Sequence, residues 1–350
     1  MDHYMQFMAG YQLFPDDRLI QALLKHRERI YEVYFPWDDL PNGRSAFSAR
    51  SDCMAFEAQA RLVNDLKILS DAGIKLNLLL NGNCYGKFSQ SRVLFNKIGD
   101  AIDYIRTKLG LQSVTTTSPL MAKFIRANFP ELEVRASVNM AIGSVQGMDY
   151  VGEYFDGYYL KRELNRNLAR ICEIKTWCDG NGKKLYLLAN SGCLNHCSVH
   201  NFHDNLVAHE NEIKAMDNAF EFRGICHDYL RRPEKQISIV RDSSFIRPED
   251  IHLYEPYFTA VKLATRNNRD PVTVLESYIS GSYHGNVMEL LEPNHAEAFY
   301  PTILENSAFP ADFAAKVMQC AKKCDSCDYC RDVLERIKVN LDNIGEGLLC

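Results

Sequence analysis

Cys193 and Cys197, separated by three residues, sit in the stretch "NSGCLNHCSVHNFHDN" with His196, His200 and His203, and Cys226 follows within the next thirty residues. Near the C-terminus Cys320, Cys324, Cys327 and Cys330 form the run "CAKKCDSCDYC". Thiolates are soft ligands, and three or four on one loop system suit zinc or an iron–sulfur cluster. Disulfides are disfavoured inside cells, and with no secretory leader expected from the first residues, clustered cysteines point to metal. The expected cofactor is one [4Fe–4S] cluster on Cys193, Cys197 and Cys226, with a fourth thiolate from the C-terminal run or Cys84. The C-terminal run could also complete a second cluster by itself. Zinc is the alternative at both places. The histidines are read as neighbours more than as ligands. His203, beside Asp204, is the candidate for proton transfer because imidazole titrates near neutrality. Asp204 is read as the N-cap of a helix that follows it.

These residues need a scaffold. Eight short apolar runs alternate with helical patterns: 4–10, 29–35, 74–80, 112–117, 132–138, 156–161, 184–189 and 259–265. Near-continuous apolar runs are what parallel strands covered on both faces require. Between them "PDDRLIQALLKHRE" opens with Pro-Asp-Asp, and "SQSRVLFNKIGDAIDYIRTKLG" runs amphipathically to a closing Gly. Eight such units with short loops predict an α/β fold, a TIM-type (β/α)8 barrel over 1–268. The connection between the seventh and eighth runs is far longer than the others, an insertion at about 190–258, and long excursions are usually functional. Residues 269–350 read as a helical, Cys-rich C-terminal extension. In such barrels the chemistry gathers at the C-terminal ends of the strands. That places Cys193 on the reactive face, together with Asn81, Asn139, Lys161 and Arg162 at strand ends, Arg247 on the insertion, and Lys262 and Arg266 around the end of the eighth strand. Lys262 and Arg266 are the catalytic candidates with His203. Asn81, Lys161 and Arg247 are the substrate-binding candidates, suited to a carboxylate or phosphate.

Of the 350 residues 46% are hydrophobic and 24% charged, and the net charge is −5. That is globular composition, with no run long enough to span a membrane. The negative balance argues against nucleic acid and for a small-molecule substrate. The chain is expected in the cytoplasm, and a homo- or hetero-oligomer is left open. Neither a Ser/His/Asp arrangement nor an HExxH zinc-protease motif is present.

Three features resemble the peptidase U32 family: the block "LYLLANSGCLNHC", the block "SSFIRPEDIHLYEPYFTAVKLATRN", and the eight strands before it. The resemblance covers roughly 1–290. It implies a TIM-type barrel. It also implies an oxygen-independent, iron–sulfur-dependent hydroxylation or related oxygen or sulfur transfer, here on a small anionic molecule. Cys193, Cys197 and Cys226 resemble the family's cluster ligands, and Lys262 and Arg266 the pair that ends its last strand. The family's Lys-Ile-Glu-Gly-Arg block reads "KLATR" here, without its glutamate. A peptidase, as the family name suggests, and a non-catalytic cluster-binding partner subunit are the alternatives.

Overall fold

The computed structural model describes residues 4–43 and 55–342; Cys53 and Cys350 lie outside them. Eight parallel strands close into a barrel in sequence order: β1 (Phe7–Gly10), β2 (Ile30–Phe35), β3 (Lys75–Leu80), β4 (Ser113–Thr116), β5 (Glu133–Ala136), β6 (Gly157–Tyr159), β7 (Lys184–Leu188) and β8 (Ala260–Leu263). Closure is made by β1 against β8, where Met8 pairs with Lys262 and Ala9 with Leu263. The TIM-type barrel expected from the eight apolar runs is therefore present. The helix Arg92–Leu109 shows how local sequence sets these units. Ser91 caps it by accepting from the Leu94 N–H, and Gly110 ends it at φ 72°, a left-handed conformation that only glycine adopts without cost. Its inward stripe, Ile98, Ile102, Ile105 and Leu109, is buried on the sheet.

The barrel interior is less apolar than the strand runs suggest. Arg135 on β5 is buried and donates from Nη1 to both oxygens of the fully buried Glu32, at 2.6 and 2.7 Å. Its Nε donates to Glu133 at 2.7 Å, and its guanidinium lies 4.4 Å from the centre of the Tyr186 ring. Asn77 donates to Glu32 as well, at 2.7 Å. Burial opposes ionisation of Glu133, but Arg135, Lys184 and Tyr186 outweigh it and hold its pKa down at about 2. The interior is thus filled by a paired charge network, which is the condition on which buried charge is tolerated.

The helix Pro271–Ser280 completes the outer ring, burying Val274, Leu275 and Tyr278 in the same core as the barrel. A second core joins the insertion to the C-terminal extension. Leu230, Ile239, Val240 and Phe245 from the former pack with Phe309, Phe313, Val317, Leu334 and Ile337 from the latter. A short antiparallel pair, β9 (Thr302–Leu304) with β10 (Lys338–Asn340), closes that unit. Among the described residues no helix is long and apolar enough to cross a membrane.

Candidate active site at the barrel mouth

The loop that carries the first cysteines is tied to the end of β8. Asn190, just after β7, donates to the carbonyls of Ala264 and Leu290, at 3.0 and 2.8 Å, and accepts from the Ala264 N–H at 2.6 Å. Gly192 follows so closely against the backbone of Pro293 that a Cβ would stand 2.2 Å from its carbonyl oxygen. A side chain there would push the loop away from the mouth. Gly10 does the equivalent for Arg266: a Cβ on it would lie 2.5 Å from Arg266 Cγ. The guanidinium stem therefore crosses the end of β1 because that position carries no side chain.

The result is a cavity of about 130 Å³ at the C-terminal face, lined by Asn81, Asn139, Arg162, Cys193, His200, His203, Asp204, Lys262 and Arg266 with Tyr34 and Glu292. Lys262 is buried, and its Nζ stands 3.9 Å above the centre of the Tyr34 ring and 5.2 Å from that of Tyr159. Burial first, and the neighbouring Arg266 second, push its pKa down from 10.5 to about 7. Arg162 is the hub of the opposite wall. Its Nη1 donates to Cys193 Sγ at 3.3 Å, and its Nη2 lies 2.8 Å from His200 Nε2 and 3.4 Å from Asn139 Oδ1. Asp204 is 3.2 Å from His200 and 3.8 Å from Arg162. Burial opposes its ionisation, but the His200 hydrogen bond and the Arg162 charge prevail and hold its pKa below the usual carboxylate range. His203 packs edge-on to Phe222, with ring centres 5.4 Å apart.

The sequence-based candidates separate into those the fold brings together and those it does not. Lys262, Arg266, His203, Asn81 and Cys193 share the cavity. Asp204 is not an N-cap: the helix runs from His200 to Ala208, and its carboxylate is drawn to His200 and Arg162 inside the first turns. Arg247 does not reach the mouth. It is buried with Nε and Nη2 on Asp250, at 2.7 and 2.9 Å, and its guanidinium lies 4.8 Å from the Phe309 ring centre, so it braces the second core. Lys161 points to Glu163 at 2.7 Å and is not among the cavity-lining residues. Sequence reading did not join Arg162, His200 and Asp204, because Arg162 follows β6 while His200 and Asp204 lie on the helix after β7.

The thiols form two separate groups. Cys197 and Cys226 line a neighbouring cavity, and Cys226 has its pKa raised to about 11, first by burial and then by the charges of Cys193 and Cys197. The three are therefore close neighbours. Cys320, Cys324, Cys327 and Cys330 line another cavity, of about 80 Å³, walled by Arg241, Val317 and Tyr329. Among the described residues no group of three or more His, Cys, Asp or Glu side chains is placed to hold a metal ion. Cys84, expected as a possible fourth ligand, lies elsewhere and has other partners. It is hydrogen-bonded to His209, and with the Gly86 N–H this lowers its pKa. The His209 pKa is raised by Cys84 and by Glu212, which bonds its Nδ1.

No family model matches the sequence. The chain is 26% identical over 322 residues to the uncharacterized protease MJ1657 of Methanocaldococcus jannaschii, covering 89% of this chain and 90% of that protein. Its structure is similar to that of the U32 peptidase Mk0906, with a TM-score of 0.53 and 14% identity over 74% of this chain and 92% of the other, a likeness of fold. The chain is thus similar nearly end to end to an archaeal protein described as an uncharacterized protease, and it shares the barrel fold of a U32 peptidase.

Proposed function

We propose that the chain is an iron–sulfur-dependent enzyme acting on a small anionic molecule at the barrel mouth, with oxygen-independent hydroxylation or a related oxygen or sulfur transfer as the reaction class. The observation that carries this reading is Arg162. One guanidinium joins the Cys193 thiol to the wall of a cavity that also holds Lys262 and Arg266. Two guanidinium groups in so small a space favour a carboxylate or phosphate, and each charge-assisted hydrogen bond contributes roughly 1.5–3 kcal/mol. His203 and the His200–Asp204 pair hold and move a proton on the same wall.

Cys193, Cys197 and Cys226 would hold the cluster. The all-sulfur donor set fits an iron–sulfur cluster. The three thiols are not placed to hold a metal in this structure, so cluster binding would require their loops to close around it. A cluster bound there supplies electron transfer, or an open iron position where only three thiolates ligate it. The four C-terminal thiols would hold a second cluster or zinc. The test is anaerobic purification with iron, sulfide and zinc analysis: iron with sulfide, lost on Cys193→Ala, is expected, and stoichiometric zinc without iron sinks the reading.

A second reading, the peptidase of the family name, is favoured by one observation. Cys84, His209 and Glu212 form a thiol–imidazole–carboxylate sequence beside a cavity of about 270 Å³. A thiol with its pKa lowered by an oriented imidazole is the arrangement of a nucleophile for acyl transfer. Its test is hydrolysis of casein and peptide esters by wild type and Cys84→Ala: equal rates remove it.

A further inference from the structure

We propose that Lys262 is an imine-forming amine, and that the barrel mouth takes a small oxo acid through its carbonyl carbon. The inference deepens the reading above and rests on it for the substrate's negative group. It starts from what surrounds Nζ. The side chain rises from β8 into the barrel axis, buried, with the Tyr34 ring 3.9 Å away and Tyr159 beside it. Among the described residues Nζ has neither an ion pair nor a hydrogen bond, although an ammonium carries three donors. Arg266 and Arg162 share its cavity with the carboxylates of Glu292 and Asp204, Asp204 is engaged by His200 and Arg162, and the buried Glu32 deeper in the barrel is held by Arg135. An ammonium there is short of partners and crowded by cations. A neutral amine is favoured, and it lines the cavity. A lysine desolvated next to another cation is the environment in which an amine becomes a nucleophile.

A carbonyl compound satisfies that amine, and an oxo acid satisfies the rest of the cavity. The Nζ lone pair attacks the carbonyl carbon, forming the C–N bond as the C=O π pair moves to oxygen. One amine proton passes to that oxygen through His203 or the His200–Asp204 pair. The hydroxyl then leaves with a second proton as water, and the nitrogen lone pair forms the C=N bond. The net change is amine, ketone and one proton to iminium and water, with nothing oxidised or reduced. The iminium restores a positive charge beside the two guanidinium groups of the cavity. The substrate's own carboxylate, held by Arg266 and Arg162 with Asn81 and Asn139 adjacent, supplies the balance. This is why the class is an oxo acid and not a neutral ketone.

The test uses the full-length protein with pyruvate, 2-oxoglutarate and phenylpyruvate in turn, each with cyanoborohydride, followed by intact mass and peptide mapping. The expected result is one reduced adduct on the peptide of Lys262, formed on the order of 100-fold faster than on exposed lysines at pH 7.5, because far more of this amine is neutral. Arg266→Gln slows it, and Lys262→Arg, which keeps the cation, abolishes it while the circular dichroism spectrum stays that of wild type. If an oxo acid binds by calorimetry but no adduct forms with any of the three, the imine is overturned and the anion site stands. If adducts appear on Lys262→Arg as fast as on wild type, they lie elsewhere and the proposal is overturned. If none of the three binds wild type or labels it, the imine and the oxo-acid class fail together.

Discussion

Arg162 donates from Nη1 to the sulfur of Cys193 at 3.3 Å, so the thiol that opens the cysteine block and a cation of the barrel mouth are in contact. The same guanidinium faces the cavity that holds Lys262 and Arg266. Whatever Cys193 ligates would therefore adjoin the space where an anion would sit.

Replacing Arg266 with Ala should weaken binding of a small carboxylate or phosphate by about 10- to 100-fold, the loss of one charge-assisted contact. Calorimetric titration with pyruvate or phosphate checks it. Because Gly10 makes room for the Arg266 stem, Gly10→Ala should give a similar loss with the guanidinium intact. Unchanged affinity in both variants would place the anion elsewhere.

Lys262 should leave a signature in stability against pH. Unfolded, it holds its proton up to about 10.5; folded, it releases it near 7. Between those values the unfolded chain binds more protons, so this residue makes stability rise with pH across the window. Below about 7 both states are protonated and the cost of the buried charge is present in full. Lys262→Met should remove that rise and be more stable than wild type at pH 6 by on the order of 2–4 kcal/mol. Urea unfolding of both proteins from pH 6 to 10 reads the difference.

The Glu32–Arg135 pair should be costly to break from one side. Both side chains are buried, and Arg135 alone carries contacts to Glu32, Glu133 and the Tyr186 ring. Arg135→Met should destabilise by about 3–5 kcal/mol, because it strands Glu32 as an unpaired buried charge, and Glu32→Gln in the same background should recover part of it. Denaturant midpoints of the two variants decide the matter.

Cys84 should be the thiol most quickly alkylated by iodoacetamide at pH 7 in metal-free protein, since its hydrogen bond with His209 favours the thiolate. His209→Ala should slow the reaction and move its midpoint to higher pH. Cys226, whose burial pushes its pKa up, should lag. Mass mapping of the labelled peptides gives the order.

The barrel could be read from the sequence because its signal is local. Runs such as "IKLNLLL" and "KLYLLA" carry their burial in consecutive residues, and all eight became strands. The placement of Lys262 and Arg266 at the mouth was legible for the same reason, one inside and one just past a strand end. What escaped depends on partners far apart in the chain. Glu32 and Arg135 look like breaks in apolar runs until the closed barrel sets them face to face. The Cys84–His209–Glu212 set has no fixed spacing to recognise. Arg247 misled because a guanidinium on a loop suggests a ligand contact, whereas Asp250, three residues on, already holds it. The second core is assembled from an insertion and a terminus far apart in the sequence, so no local pattern in either announces the partner it packs on.

The most direct test of the account is the electron paramagnetic resonance spectrum of anaerobically purified, reduced protein, recorded before and after adding an oxo acid. A reduced-cluster signal is expected that is absent in Cys193→Ala, that shifts on adding the acid to wild type, and that does not shift in Arg266→Ala. A cluster signal indifferent to the acid, or protein that binds zinc and no iron under the same conditions, would contradict the claim that the metal centre and the anion site share the barrel mouth.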